Sequence, residues 1–214
     1  MPVRAPFLRT ALLAAALLTA CGTTPEPGPP ASGAAAKPSP TSPSPAPTAS
    51  AAPKAAASVG GPGTACALPV SFSLAEGWEP ETVEKPEDPD FAALVEQGPA
   101  TIVCEATSEG TPHIGFLRVW TAPKGPAGAA LSAFVKDDRT KALVLKDVKL
   151  GGTAAVEARY SAYSALEEEW RDGRSFAVET AKGTVVIVEL GGLDAEEDAV
   201  VAAYELAKST FEVA

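Results

Sequence analysis

Histidine, methionine, cysteine and aromatic side chains are scarce in this chain, and basic charge is outnumbered. Its 214 residues include one His, one Met, three Cys and 6% aromatics. One imidazole and three thiols leave little scope for a multi-His or multi-Cys metal centre. No Gly-x-Ser-x-Gly sequence accompanies His113, so nothing points to a serine triad, and His113 reads as a structural or surface residue. The 17 Lys+Arg face 27 Asp+Glu, a formal net charge of −10. That is the wrong sign for a nucleic-acid partner, because phosphate binding needs a basic surface. Beyond the N-terminus there is no long apolar run, which excludes a multi-span membrane protein.

What is present begins with an address. Arg4 and Arg9 form a positive n-region, and residues 11–18 form a short Leu/Ala h-region. This run is too short to span a bilayer as a stable helix. Leu18-Thr19-Ala20-Cys21-Gly22 follows and resembles the bacterial lipobox: a Leu, two small residues, then the Cys that receives a diacylglycerol. Residues 1–20 are therefore expected to be a signal peptide cleaved between Ala20 and Cys21. Cys21 is the expected lipidation site, bearing palmitate-type acyl chains. Two such chains hold firmly, since each buried CH₂ contributes about 0.8 kcal/mol. No Arg pair precedes the h-region, which favours Sec over the twin-Arg route. The expected location is the extracytoplasmic face of the cell membrane, anchored to it and not spanning it.

Residues 21–63 read as the lipidated Cys and a disordered tether. From 22 to 62, 11 of 41 residues are Pro, and most others are Ala, Ser, Thr or Gly. Nothing in this stretch can build a core. Fully extended it would reach roughly 130 Å, and as a flexible coil about 35 Å. Ser and Thr interleaved with Pro also resemble an O-glycosylated stalk, with sugar expected on some of Thr41, Ser42, Ser44 and Thr48.

Residues 64–214 read as a single folded domain, with 13 basic against 26 acidic residues. Residues 70–74 alternate apolar and polar and predict a half-buried strand. Residues 84–90 carry Pro86 and Pro89 and predict a loop, after which Asp90 caps a short helix to about 97. Residues 100–106 predict a strand with Ile102, Cys104 and Ala106 on one face, and 113–121 a second strand. A helix is expected over 127–138, with Leu131, Phe134 and Val135 on one side. Gly151-Gly152 lies between strands 143–150 and 153–163, and Ala181-Lys182-Gly183 between 174–180 and 184–190: two hairpins. Val185-Val186-Ile187-Val188 predicts a central strand covered on both faces. A last helix is expected over 195–208, with Asp194 and Glu197 in a capping-box arrangement and Val200, Ala203, Tyr204, Ala207 and Phe211 facing the sheet. Hairpins without βαβ alternation predict an α+β fold, an antiparallel β-sheet with helices packed on it.

Phe72 and Leu74 running into Gly77-Trp78, then Leu150-Gly151-Gly152-Thr153-Ala154, then a last helix ending Ser209-Thr210-Phe211, together resemble the Lpq-type actinobacterial lipoproteins. The resemblance covers about 68–211. It implies a PsbP-like domain, an antiparallel sheet sandwiched by helices, in an envelope setting, and it brings no catalytic residues.

Once Cys21 is lipidated, Cys66 and Cys104 remain. An even pair in an exported domain predicts a disulfide. The acidic stretch from Glu76 to Asp90 is interrupted by prolines and lacks a calcium-loop pattern, so it reads as solvated. Glu167-Glu168-Glu169 reads as a hairpin tip. Trp78 and Trp120 read as core or sheet-edge residues. Trp170, between Glu169 and Arg171, is a possible binding anchor. No cofactor is implied, and no motif indicates an enzyme. The expected function is that of a lipid-anchored envelope protein whose acidic domain binds or assembles with another protein, of unidentified kind. The alternative is a carrier of a small hydrophobic ligand, and a cell-wall hydrolase is the remotest reading.

Overall fold

The computed structural model describes residues 52–137 and 139–214. The expected signal peptide with Ala20 and Cys21, and the expected tether up to residue 51, lie outside the described residues. Among these, two antiparallel sheets carry the domain. The smaller joins β1 (Ala55–Val59), β2 (Val70–Ala75) and, at the far end of the chain, Glu212–Val213. The larger is built from β3 (Glu79–Thr82), β4 (Glu96–Gln97), β5 (Ala100–Thr107), β6 (Phe116–Ala122), β7 (Thr140–Leu150), β8 (Thr153–Ser164), β9 (Glu169–Glu179) and β10 (Val185–Gly191). Its order is β3-β5-β6-β10-β9-β8-β7, with β4 also paired to β5. The helices are α1 (Pro89–Ala92), α2 (Ala127–Val135) and α3 (Asp198–Ser209), and Glu212–Val213 is β11. The fold is thus the antiparallel α+β arrangement expected from the hairpins.

Strand β10 occupies the middle of the large sheet because nearly every side chain on it is apolar. Val186, Val188 and Leu190 face α3 and the small sheet, in one cluster with Phe72, Phe176, Tyr204 and Phe211. Val185 and Ile187 face α2, in a second cluster with Trp120, Leu131 and Phe134. Helix α3 buries Val200, Ala203, Tyr204 and Ala207, the stripe its periodicity predicts, and Phe211 follows it into the core. The β7–β8 turn sits on Gly151 and Gly152, at φ 52° and 82°, the positive pair that a two-residue hairpin turn requires.

Several expectations are corrected. The tether was expected to run to residue 63, but Ala55–Val59 is a strand paired antiparallel with β2, and Val59 is fully buried. Edge pairing uses backbone groups that every residue but proline carries, so an Ala-rich segment gives no sign of it. Ile102 does not share a face with Cys104 and Ala106. The β5–β6 register shifts between Ile102 and Cys104, and the extra residue sends Ile102 to the α2 side. Helix α3 starts at Asp198, not 195, and Glu197 occupies its N-cap without a side-chain cap bond. Asp194 is engaged elsewhere, accepting the Ile114 N–H at 2.7 Å. Strand β6 begins at Phe116, three residues later than expected. The helix expected from Asp90 to 97 is only α1, one 3₁₀ turn over Ala93–Val95, and then β4.

Candidate binding cleft

Cys66 and Cys104 form the expected disulfide, with Cα atoms 5.9 Å apart. It joins the segment before β2 to β5, on the α3 side of the large sheet. Trp78 and Trp120 are buried in the two cores. Trp170 is 42% exposed, with the Lys141 ammonium 3.7 Å from its ring centroid and Tyr163 against its edge. Its neighbours hold it at the β8–β9 end without burying it. Trp170→Ala is therefore expected to change stability by about 1 kcal/mol or less in urea unfolding. His113 is half-buried beside the turn held by Ser108 and Thr111. Among the described residues, no group of three or more His, Cys, Asp or Glu is placed to hold a metal ion.

The site that the fold does build lies on the α2 face of the large sheet. It is an open cleft of about 790 Å³ between the end of α2, β4 and the strands β8 to β10. Trp170 is not among its lining residues. Its floor follows from strand pairing, because directly opposed residues share a face. One row across the sheet runs Glu105, Arg118, Glu189, Ser175, Ala158. In the next row Phe116 lies opposite Gly191, and Tyr160 lies opposite Gly173. Both rings lean over the glycine beside them: a Cβ on Gly191 would stand 2.2 Å from Phe116, and one on Gly173 would stand 2.1 Å from Tyr160. A larger residue at either position would displace the ring.

Glu189 is the polar centre of this floor. It is half-buried, and the Trp120 indole N–H donates to it at 3.2 Å. The Tyr160 hydroxyl is its other partner. Burial away from water pushes the carboxyl up to about 7, against the pull of Arg118 and the bonds from Trp120 and Tyr160. Arg118 is itself committed to Glu105, Nε to Oε2, and stacks 3.9 Å from the Phe116 centroid. Burial, with Glu189 beside it, also raises the Tyr160 phenol far above its ordinary value.

The cleft walls are tied down separately. Gln97 donates to the Phe134 carbonyl at 3.1 Å, fastening β4 to the end of α2. Arg171 pairs with Glu167 at 3.0 Å and Glu169 at 2.8 Å, and donates to the Leu193 carbonyl at 2.6 Å. This binds the acidic β8–β9 tip to the β10–α3 loop. Ile114 and Leu193 stand at the mouth, 60% and 39% exposed.

Fold and cleft together define a small antiparallel α+β domain with an open cleft at one end of its large sheet. The chain belongs to a lipoprotein family: the family model described as "uncharacterised lipoprotein" matches residues 35–211. No curated protein matches it. Among solved structures it is similar to the solution structure of cyanobacterial PsbP (CyanoP) from Synechocystis sp. PCC 6803. The identity is 15% and the TM-score 0.48, over 72% of this chain and 96% of that one. No helix among the described residues is long and apolar enough to cross a membrane.

Proposed function

We propose that this protein is a non-enzymatic binding lipoprotein of the Lpq type, held by acyl chains on Cys21 at the extracytoplasmic face of an actinobacterial cell membrane. Its domain captures a small, largely apolar ligand in the cleft above Glu189. The observation that supports this is the floor itself: the half-buried Glu189 carboxyl beside two aromatic rings, open to about 790 Å³ of space. Pockets for small ligands set placed polar groups against apolar and aromatic side chains. The exposed Ile114 and Leu193 at the mouth favour a second reading, that the same end of the sheet docks on another envelope protein.

The test is native mass spectrometry of the protein extracted in detergent from its own cells. A bound small-molecule mass is expected on the native chain and is expected to vanish in Ala162→Trp, which fills the cleft. An adduct that survives Ala162→Trp, or no adduct at all, removes the ligand reading. A photo-crosslinker at position 114 that traps one dominant protein would then favour docking. Release of Cys21→Ser into the medium checks the anchor in the same cultures.

A further inference from the structure

We infer that the cleft is a receptor for an organic cation, whose ammonium group lies between Phe116 and Tyr160 and pairs with Glu189 while its apolar body runs towards Phe134 and Leu193. This rests on the ligand reading above and names the ligand's class.

The geometry carries the argument in three steps. First, the rings of Phe116 and Tyr160 come from strands on either side of β10 and β9. Each leans inward over a glycine on those strands, at Gly191 and Gly173. Glu189 lies two residues before Gly191 and on the same face of β10. Aromatic groups with a carboxylate at their base suit an ammonium group, which ring quadrupole and negative charge attract, and one face of Phe116 already holds a cation in this way, the Arg118 guanidinium. Second, the carboxylate's nearest cation is already shared. Arg118 bonds Glu105 and lies against Phe116, and it is not among the residues lining the cleft. Third, of the three bases that line the cleft, Lys136, Arg139 and Arg171, two are already paired with acids. Arg171 is bound to Glu167 and Glu169, and Arg139 is 3.9 Å from Asp137. An anionic ligand would meet Glu189 head on. A wholly apolar one would take water from the charged Glu189 and leave it only Trp120, Tyr160 and the shared Arg118, which is unfavourable at a buried site.

Glu189 faces Arg118 and Trp120 on β6, Tyr160 on β8 and Ser175 on β9, with Glu105 behind Arg118. Lys136 and Asp137 approach from the end of α2. Because the carboxyl titrates near 7, the receptor gains its charge across neutral pH and loses it in mild acid.

The experiment is calorimetric titration of the detergent-solubilised full chain with choline as probe, against its uncharged isostere 3,3-dimethyl-1-butanol. Choline is expected to bind at least tenfold more tightly at pH 8.5 than at pH 5.5. Glu189→Gln is expected to weaken it at least tenfold at pH 8.5 and to abolish the pH dependence. The pH dependence of the native chain tests the inference even if that variant does not fold. The inference is overturned if the isostere binds as tightly as choline at both pH values, or if folded Glu189→Gln keeps the affinity. In either case the cleft still holds a ligand, and the broader reading stands. If neither probe binds, the inference is overturned, and absence of an adduct on the extracted chain removes the broader reading with it.

Discussion

Replacing Cys66 and Cys104 with Ala is expected to destabilise the domain by about 4 kcal/mol, the chain-entropy value for a closed loop of this size. The two residues are 38 apart in sequence, and both sulfurs lie in the α3-side core. The loop they close contains β2 and β3, together with the short helix and β4 that lead into β5. Without the bridge, the unfolded chain regains the freedom of that whole segment. In a domain of this size the midpoint of thermal unfolding should fall by roughly 8–16 °C. Differential scanning calorimetry of the native chain, with and without reductant, supplies the check. Reduced native protein should melt close to the double variant. A shift under 2 °C would mean that the covalent link adds nothing to what packing already holds.

The second large effect concerns Glu189. In the folded chain its carboxyl keeps its proton up to about 7, against an ordinary 4.5. The native state therefore binds more protons than the unfolded state between these values. The stability linked to this group is complete below about pH 4.5, falls as pH rises through 7, and is lost above it. A shift of this size corresponds to about 3 kcal/mol, at 1.36 kcal/mol per unit. Glu189→Gln keeps the shape and an acceptor for Trp120, and carries no charge at any pH. It should be more stable than the native chain at pH 8, and the two should converge near pH 4.5. Urea unfolding of both proteins at half-unit steps from pH 4.5 to 8.5 measures the difference, in which other titrating groups cancel. A constant difference across that range would show that Glu189 is not desolvated.

Much of the scaffold is legible in the chain. The Val185-Val186-Ile187-Val188 run announces a strand covered on both sides, and β10 is central. The spacing of Val200, Ala203, Tyr204 and Ala207 announces the face that α3 buries. Gly151-Gly152 announces a turn because few other residues tolerate two successive positive φ values. The cleft was not legible in the same way. Glu189 reads as one polar position at the end of an apolar run, and an acid in that setting is the only local signal. Its surroundings arrive from far along the chain: Trp120 is 69 residues away and Tyr160 lies on another hairpin. Gly173 and Gly191 read as weak points in strands until each is seen beneath a ring. Trp170, the exposed tryptophan, stands outside the cleft because its neighbours place it at the tip of the β8–β9 hairpin.

By itself, the sequence determined the fold class, the order of the longer strands and the two longer helices, the two hairpins, the acidic balance and the cysteine pairing. These depend on local periodicity, on residue counts and on the chemistry of an even pair of thiols. Only the tertiary structure decided that Ala55–Val59 is part of the sheet, that Ile102 turns away from Cys104, and that a carboxylate lies between two rings. Those outcomes depend on register. One extra residue in β5, or one pairing of Phe116 with Gly191, selects which side chains share a face, and no local pattern encodes that choice.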